Sequence, residues 1–332
     1  MKLKTLYILG EDSFKRIYGI EEQAQIEELC DVIAPPQTRE SIAQHPELLA
    51  DVEAIFSGWG APVLDAEFLA KAPKLKAFFY GAGSIRGIVT PEFWKRDIVI
   101  TSSWVANAVP VSEFALAEIL LSLKLTWRHI TGTMLEKRFK RDMQDCPSLY
   151  KSTVSIISLG MIGRKLARLL QNFDLKVLAY DPFVPQEEAD ALGVEKVSLE
   201  DAFRRGDVVS LHTPWLKETE NMITGDLFRS MKQNATFINT SRGAIVDEPA
   251  MCKVLAERPD LTAVLDVTWP EPPAADSPLF SLENVILTPH IAGSQANECH
   301  RMAQYAIDEC RRFINGEKLQ YQVTEKMAEK MA

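Results

Sequence analysis

The sequence predicts an α/β protein in which strands and helices alternate in two successive blocks, and three observations carry that prediction. Short apolar runs separated by polar or amphipathic stretches of about helix length recur over residues 6–101 and again over residues 154–287. Within the second block, residues 153–181 (TVSIISLGMIGRKLARLLQNFDLKVLAYD) read as strand, glycine turn, helix and second strand ending on an acid. A long apolar segment over residues 107–128 divides the blocks and reads as a bridging helix.

In chain order, the first block places strands at residues 6–9, 32–34, 54–56, 77–80 and 98–100. The bridging helix follows, and its apolar stretch 114–125 is interrupted by Glu118 and Lys124, as expected for a buried helix and not a membrane span. The second block places strands at 154–159, 175–180, 208–211, 235–238, 263–267 and 285–287, with helices at 162–173, 198–205, 225–232, 248–258 and 295–314. The last helix lies beyond the final strand and is expected to cross back to the first block. The expected domains are therefore a discontinuous one, 1–103 plus 296–332, and a continuous one, 104–295. The charged run from Tyr321 is expected to fray.

The strand-turn-helix at 153–181 is the chemical signature of the second domain. Ile162, Leu166, Leu169, Leu170 and Phe173 recur at helical spacing after an apolar strand, and the period switches at the glycines. Gly160 lets the backbone approach a pyrophosphate. Gly163 lets the helix pack against the strand, so that the phosphates meet the amides and positive dipole end of that helix. Asp181 closes the next strand about 20 residues on, where a carboxylate accepts hydrogen bonds from the adenosine ribose hydroxyls. The first glycine of the usual GxGxxG pattern is replaced by Ser158. Asp181 would repel a ribose 2′-phosphate, and Pro182 and Phe183 add no cation, so the expected cofactor is NAD and not NADP.

Composition limits the remaining classes. The chain has 332 residues, and 37 basic against 46 acidic residues give a net charge of −9, which argues against a nucleic-acid or anionic-membrane surface. The five cysteines (Cys30, Cys146, Cys252, Cys299 and Cys310) lack ligand spacing, so they are expected to be buried or idle thiols in a reducing compartment, with no metal site. The N-terminal apolar run before Glu11 and Asp12 is too short for a signal-peptide core, and a cytoplasmic location is expected.

Three further segments sit where second-block strands end, which is where ligands bind in open α/β sheets. They are INTSRGAIVDE with Arg242, LDVTWPEPP with Glu271 and LTPHIAGS with His290. With the LHTP turn at 211–214 and the helix start at 107–113, these motifs fall in the order and rough spacing of one family. Over residues 77–314 the chain resembles the D-isomer-specific 2-hydroxyacid dehydrogenases.

The resemblance implies two Rossmann-like, doubly wound parallel-sheet domains with the active site in the cleft between them, a substrate domain and an NAD-binding domain. It also implies an Arg, Glu and His triad, carried here by Arg242, Glu271 and His290. On the cofactor side it implies that Met161 and Ile162 line the pyrophosphate turn, that His212, Thr213 and Pro214 shape a cofactor-side turn, and that Thr240, Ser241, Arg242 and Asp266 surround the nicotinamide. Gly293 would lie near His290 over the ring. On the substrate side it implies that the amides of Gly81, Ala82 and Gly83 bind the substrate carboxylate and that Asn107 faces the cleft. Phe79, Tyr80 and Trp104 flank that loop and would either widen the pocket or simply fill the core. Ile85, Arg86 and Gly87 stand where the family often has an acid, so Arg86 adds a cation there.

Elementary chemistry agrees with the triad. Reduction of a 2-oxo acid needs a fixed cation to grip the carboxylate, and Arg is the always-charged, bidentate choice. It needs an acid that works near neutrality to protonate the developing alkoxide, and His is the natural one. A carboxylate hydrogen-bonded to that imidazole fixes its tautomer and favours its charged form, the role expected of Glu271. Taken singly, an arginine at a strand end, an acid between prolines and a lone histidine are usually structural; the three in family order carry the assignment. The expected function is hydride transfer between nicotinamide and a D-2-hydroxy or 2-oxo acid. The alternative is a dinucleotide-sensing, corepressor-like binding protein. The formate-oxidising branch is disfavoured because it carries glutamine where this chain has Glu271. Finally, the family packs residues equivalent to 127–150 across a two-fold axis, so Trp127, Ile130, Met134, Leu135 and Phe139 are expected to form a homodimer face.

Overall fold

The computed structural model describes residues 2–135, 137, 139, 146–329 and 331. The chain divides into two compact units, one formed by Met1–Asn107 with Ser294–Ala332 and the other by Ala108–Gly293.

The first unit is built on strands β1 (Leu3–Ile8), β2 (Cys30–Val32), β3 (Ala54–Ser57), β4 (Ala77–Tyr80) and β5 (Val99–Ser102). They form one parallel sheet in the order β2-β1-β3-β4-β5. β3 and β4 are buried at every residue, which is why AIF and AFFY run apolar without polar alternation. Side chains still alternate between faces. Leu6, Ile8, Ile55, Phe78 and Tyr80 pack in one core, whereas Tyr7, Leu9, Phe56 and Phe79 pack in another beneath the Glu298–Asn315 helix.

Over its described residues the C-terminal run is tied down, not frayed as its charge suggested. Thr101 and Gln322 form an antiparallel bridge beside β5, the amide of Val323 donates to Ile100 O at 2.9 Å, and Val323 is buried in the core. The Glu309 carboxylate, 1% exposed, accepts the amides of Gln320 and Tyr321 at 2.9–3.1 Å and pairs with Arg312. Sequence pattern misses this anchor because Glu309 reads as one more surface acid on an amphipathic helix.

The second unit continues with β6 (Thr153–Ile157), β7 (Lys176–Tyr180), β8 (Glu195–Lys196), β9 (Val208–Leu211), β10 (Thr236–Asn239), β11 (Thr262–Leu265) and β12 (Val285–Leu287). All pair in parallel in the order β12-β11-β10-β9-β6-β7-β8. The chain winds one way from β6 through β7 to β8, and the other way from β9 to β12. The switch point where such sheets bind ligands thus lies between β6 and β9. β8 is only two residues long and has no apolar run to announce it.

The helix expected at 107–128 is two helices, Trp104–Ser122 and Thr126–Leu135. Between them Leu125 adopts a left-handed backbone at φ 51° with its side chain buried, which stops the first helix and turns the second. Apolar composition continues through this break, so it was invisible to periodicity. The aromatic residues beside the 81–83 loop are core residues. Phe79 and Tyr80 are 0% and 5% exposed, and Trp104 packs edge-on to Tyr321 at 6.2 Å.

Candidate active site

The glycine turn between β6 and the Met161–Leu170 helix has the form its sequence implies. Gly160 is the helix N-cap and no side chain caps the helix, so the first-turn amides are left for a ligand. A Cβ on Gly160 would meet nothing within 4 Å, whereas one on Gly163 would fall 2.1 Å from Ser158 O. Gly163 is therefore required for helix and strand to approach, and Gly160 faces open space. Ser158 takes the left-handed conformation, φ 78°, that glycine would otherwise supply. Met161 is 40% exposed at the first helical position.

Asp181 ends β7 and holds the turn from behind. One carboxylate oxygen accepts the Leu159 amide at 2.8 Å, and the other accepts the amides of Phe183 and Val184 at 2.8 and 3.1 Å. Ser158 Oγ approaches Asp181 at 3.4 Å. The oxygen that accepts the Leu159 amide keeps a second lone pair, so a ribose hydroxyl can still be accepted there.

The turn after β9 carries His212, Thr213 and Pro214. Burial pushes the His212 imidazole down to about 4, so it is neutral near pH 7. Its Nε2 lies 2.9 Å from Ser210 Oγ, while its Nδ1 is buried without a hydrogen-bond partner, as is Thr240 Oγ1. Two orphaned polar atoms in one sheet's ligand-binding region are what an incoming polar ligand would satisfy. Ser241 Oγ donates to Thr213 O, tying this turn to the segment after β10.

That segment presents Arg242. Asn239 brackets it, accepting the Ser241 amide at 2.9 Å through its side-chain oxygen and donating to Arg242 O at 3.1 Å. A Cβ on Gly243 would fall 2.0 Å from the carbonyl carbon of Thr268, so glycine is required where the Arg242 segment crosses Thr268 and Trp269. Arg242 Nη1 donates to Ser241 O at 2.7 Å. Burial pushes its guanidinium pKa down and Glu271 opposes the shift, but the group stays charged at any working pH.

His290 and Glu271 meet directly, with Nδ1 2.6 Å from Glu271 Oε1. The loop that carries His290 is held by Asp266, which is 2% exposed. Its carboxylate accepts Thr288 Oγ1 at 2.6 Å and the amides of Ile291 and Ala292 at 2.8 and 2.9 Å, while its carbonyl accepts the His290 amide at 3.0 Å. These bonds hold His290 in a left-handed conformation, φ 54°, that a non-glycine residue adopts only when its surroundings impose it. Asp266 was expected beside the nicotinamide; its carboxylate is turned to the His290 loop. Gly293 ends that loop and the unit.

In the first unit, the amide of Gly81 donates to Ser57 O at 2.9 Å, and a Cβ there would lie 2.7 Å from Tyr18 Oη. Gly81 thus fixes its loop to β3 with its amide already committed, leaving a ligand role on this loop to Ala82 and Gly83. Gly83 faces open space. The Asn107 side chain accepts the Ser294 amide at 2.9 Å.

The residues not anticipated are Asn239, Thr288, Trp215 and Trp269. Trp215 and Trp269 pack edge-to-face at 4.7 Å, with Trp269 half exposed and its amide given to Glu248 at 3.0 Å. Part of the signal was present, since Trp269 lies inside the motif LDVTWPEPP and Trp215 directly follows the LHTP turn.

The glycine turn lies at the start of the Met161–Leu170 helix, and Arg242, Glu271 and His290 follow three strands of one parallel sheet, at the end where open α/β sheets bind ligands. Residues 118–292 match the model of the D-isomer specific 2-hydroxyacid dehydrogenase, NAD binding domain. The chain is 33% identical over 315 residues to a glyoxylate reductase of Korarchaeum cryptofilum, covering 94% of this chain and 93% of that protein. It is 32% identical over 257 residues to a D-3-phosphoglycerate dehydrogenase of Mycobacterium bovis, covering 77% of this chain but 48% of the relative, so the chain spans about half the length of the phosphoglycerate dehydrogenases it matches. In fold it is similar to D-mandelate dehydrogenase of Rhodotorula graminis, with a TM-score of 0.80 at 24% identity over 97% of this chain and 98% of that one. An NAD-complexed D-isomer specific 2-hydroxyacid dehydrogenase of Lactobacillus delbrueckii ssp. bulgaricus gives a TM-score of 0.80 at 21% identity, over 97% and 100%.

The chain belongs to the D-isomer-specific 2-hydroxyacid dehydrogenase family. It is an oxidoreductase of hydroxy and oxo acids, and its cofactor is NAD. The residues present fit that cofactor: the uncapped helix start at Gly160 offers amides to a pyrophosphate, Asp181 is an acid at a strand end, and His212 Nδ1 and Thr240 Oγ1 are buried polar atoms without a partner.

Proposed function

We propose that the protein interconverts a 2-oxo acid and the D-2-hydroxy acid, with Arg242, Glu271 and His290 as its catalytic residues. The observation that carries the reading is the 2.6 Å contact between His290 Nδ1 and Glu271 Oε1. It engages one ring nitrogen and leaves Nε2 as the atom able to exchange a proton with substrate oxygen. When bound, NADH supplies the hydride that reaches C2 of the oxo acid. His290 Nε2–H then gives its proton to the carbonyl oxygen, and in the oxidative direction Nε2 takes the hydroxyl proton. Glu271 holds the imidazole tautomer through that contact. Arg242 pairs with the substrate carboxylate.

In the same reading, Gly160, Met161, Ile162 and Gly163 form the pyrophosphate turn and Asp181 accepts the ribose hydroxyls. His212, Thr213, Pro214, Thr240 and Ser241 serve the nicotinamide half, with Gly293 beside it. Asp266 acts by positioning the His290 loop. Ala82, Gly83 and Asn107 serve the substrate side. The two-carbon oxo acid glyoxylate is the first substrate to test, because the relative matched over nearly its whole length is a glyoxylate reductase. We also propose that the protein works in the cytoplasm on small molecules, without nucleic-acid or membrane partners, and as a homodimer. Support for the last comes from the Thr126–Leu135 helix, where Ile130 and Met134 are 48% and 71% exposed. Trp127 instead packs into its own unit and donates to Glu118 at 2.9 Å. Phe139 is fully exposed, and the Leu135 side chain lies outside the described residues.

The experiment is a panel of 2-oxo acids, glyoxylate, pyruvate, hydroxypyruvate and phenylglyoxylate among them, assayed for NADH consumption. Turnover of at least one supports the reading. NADH binding with no turnover of any would favour the corepressor-like alternative.

A further inference from the structure

Two thiols with no part in the hydride chemistry lie against each other in the first unit. Cys30 is both the residue that ends the Ile20–Leu29 helix and the first residue of β2. Cys310 lies in the Glu298–Asn315 helix. Their sulfurs are 3.6 Å apart, and the residues are 2% and 0% exposed. A disulfide needs about 2.05 Å, so the sulfurs have to approach by only ~1.5 Å. The contact joins two points 280 residues apart in sequence.

The surroundings are asymmetric. A surface cavity of about 470 Å³ is lined by Lys2, Glu27, Cys30, Asp31 and Val32, so Cys30 adjoins a route from solvent, and Cys310 does not line it. The Cys310 thiol, the Thr5 hydroxyl and the Lys2 ammonium stabilise the Cys30 thiolate against burial and pull its pKa down, while the same partnership and burial push Cys310 up. Cys30 is therefore the nucleophile and Cys310 the resolving thiol.

We propose that Cys30 and Cys310 form a peroxide-sensitive pair that closes reversibly to a disulfide. The Cys30 thiolate attacks one oxygen of a hydroperoxide, the O–O bond breaks, and hydroxide (or alkoxide) leaves and is protonated. The Cys310 sulfur then attacks Cys30–SOH, forming the S–S bond and releasing water. Overall, two thiols lose two electrons and two protons, and the hydroperoxide is reduced by two electrons. A dithiol reductant reverses the reaction by exchange.

The consequence is local. β2 is a three-residue edge strand whose sheet neighbour is β1 alone, the kind of element that opens first. The disulfide would fasten it to the helix that covers that face of the sheet.

The test uses the full chain saturated with NAD and treated with stoichiometric hydrogen peroxide, then alkylated after unfolding and mapped by mass spectrometry. The expected product is the Cys30 peptide joined to the Cys310 peptide, two hydrogen masses below their sum and released by dithiothreitol. In Cys310→Ser, dimedone should label Cys30 as the trapped sulfenic acid; in Cys30→Ser, Cys310 should stay unlabelled. Hydrogen exchange within residues 30–32 and 298–315 should slow on oxidation. Full alkylation of both residues after peroxide treatment, or a crosslink that instead involves Cys146, Cys252 or Cys299, would overturn the proposal. The wild-type peptide map decides this even if neither variant folds.

Discussion

His290 Nδ1 and Glu271 Oε1 lie 2.6 Å apart, and the loop that brings the histidine there is held by a different acid, Asp266, buried beneath it. One carboxylate thus bonds the ring itself, and another holds the loop that carries it. The two functions can be separated by mutation.

Glu271→Gln keeps a hydrogen-bonding side chain but removes the charge. Turnover is expected to fall roughly tenfold, below the roughly 10²–10⁴-fold of general acid-base catalysis itself, with NADH affinity unchanged. Steady-state kinetics alongside NADH titration check this, and undiminished turnover would remove Glu271 from the relay.

Asp266→Asn should act through the loop. Its carboxylate accepts three hydrogen bonds, from Thr288 Oγ1 and the amides of Ile291 and Ala292, and an amide side chain cannot accept them all. The expected outcome is a loss of stability of about 1–3 kcal/mol together with reduced turnover. Urea unfolding measures the first; a variant as stable and as active as the parent contradicts the positioning role.

His212 makes stability depend on pH. Its folded pKa, about 4, lies below the ordinary value of 6.5, so the unfolded chain takes up the proton first. Its contribution is complete above pH 6.5 and is lost as pH falls toward 4, amounting to a few kcal/mol at most. Unfolding midpoints between pH 7 and pH 4.5 should drop less for His212→Gln than for the parent, and parallel declines would contradict the assignment.

Much of this fold was legible because buried parallel strands advertise themselves. The buried runs 77–80 and 208–211, and the half-buried edge run 285–287, were bounded to the residue, and the glycine turn was readable because Gly163 has a steric reason to be glycine. What pattern could not carry was long-range polar pairing. Nothing local distinguishes Glu309, which anchors the C-terminal run, from its exposed neighbours, or shows that Asp266 faces the His290 loop. The amide of Gly81 was misread for the same reason, since its partner, Ser57 O, belongs to another strand. Leu125 was missed because a helix can break at a left-handed residue without glycine or proline to mark it.

Cofactor choice is expected to follow from Asp181. Catalytic efficiency with NADH should exceed that with NADPH at least tenfold, or about 1.4 kcal/mol, because a 2′-phosphate would approach a carboxylate already fixed by three backbone amides. Equal efficiencies would show that Asp181 does not discriminate.

Self-association is expected through the Thr126–Leu135 helix. Light scattering should give twice the 37.3 kDa chain mass, and Ile130→Asp with Met134→Lys should return it to the monomer value. A monomeric parent contradicts the homodimer, and a dimer untouched by both substitutions moves the interface elsewhere.

The central claim is that His290 is the proton donor of an NAD-dependent 2-oxo acid reductase, and the most direct measurement is single-turnover NADH oxidation by His290→Ala with the best substrate of the panel. The expected result is a rate roughly 100-fold or more below that of the parent, the scale for losing a general acid, with the NADH dissociation constant within about twofold of the parent's. An unchanged rate at saturating substrate would contradict the mechanism.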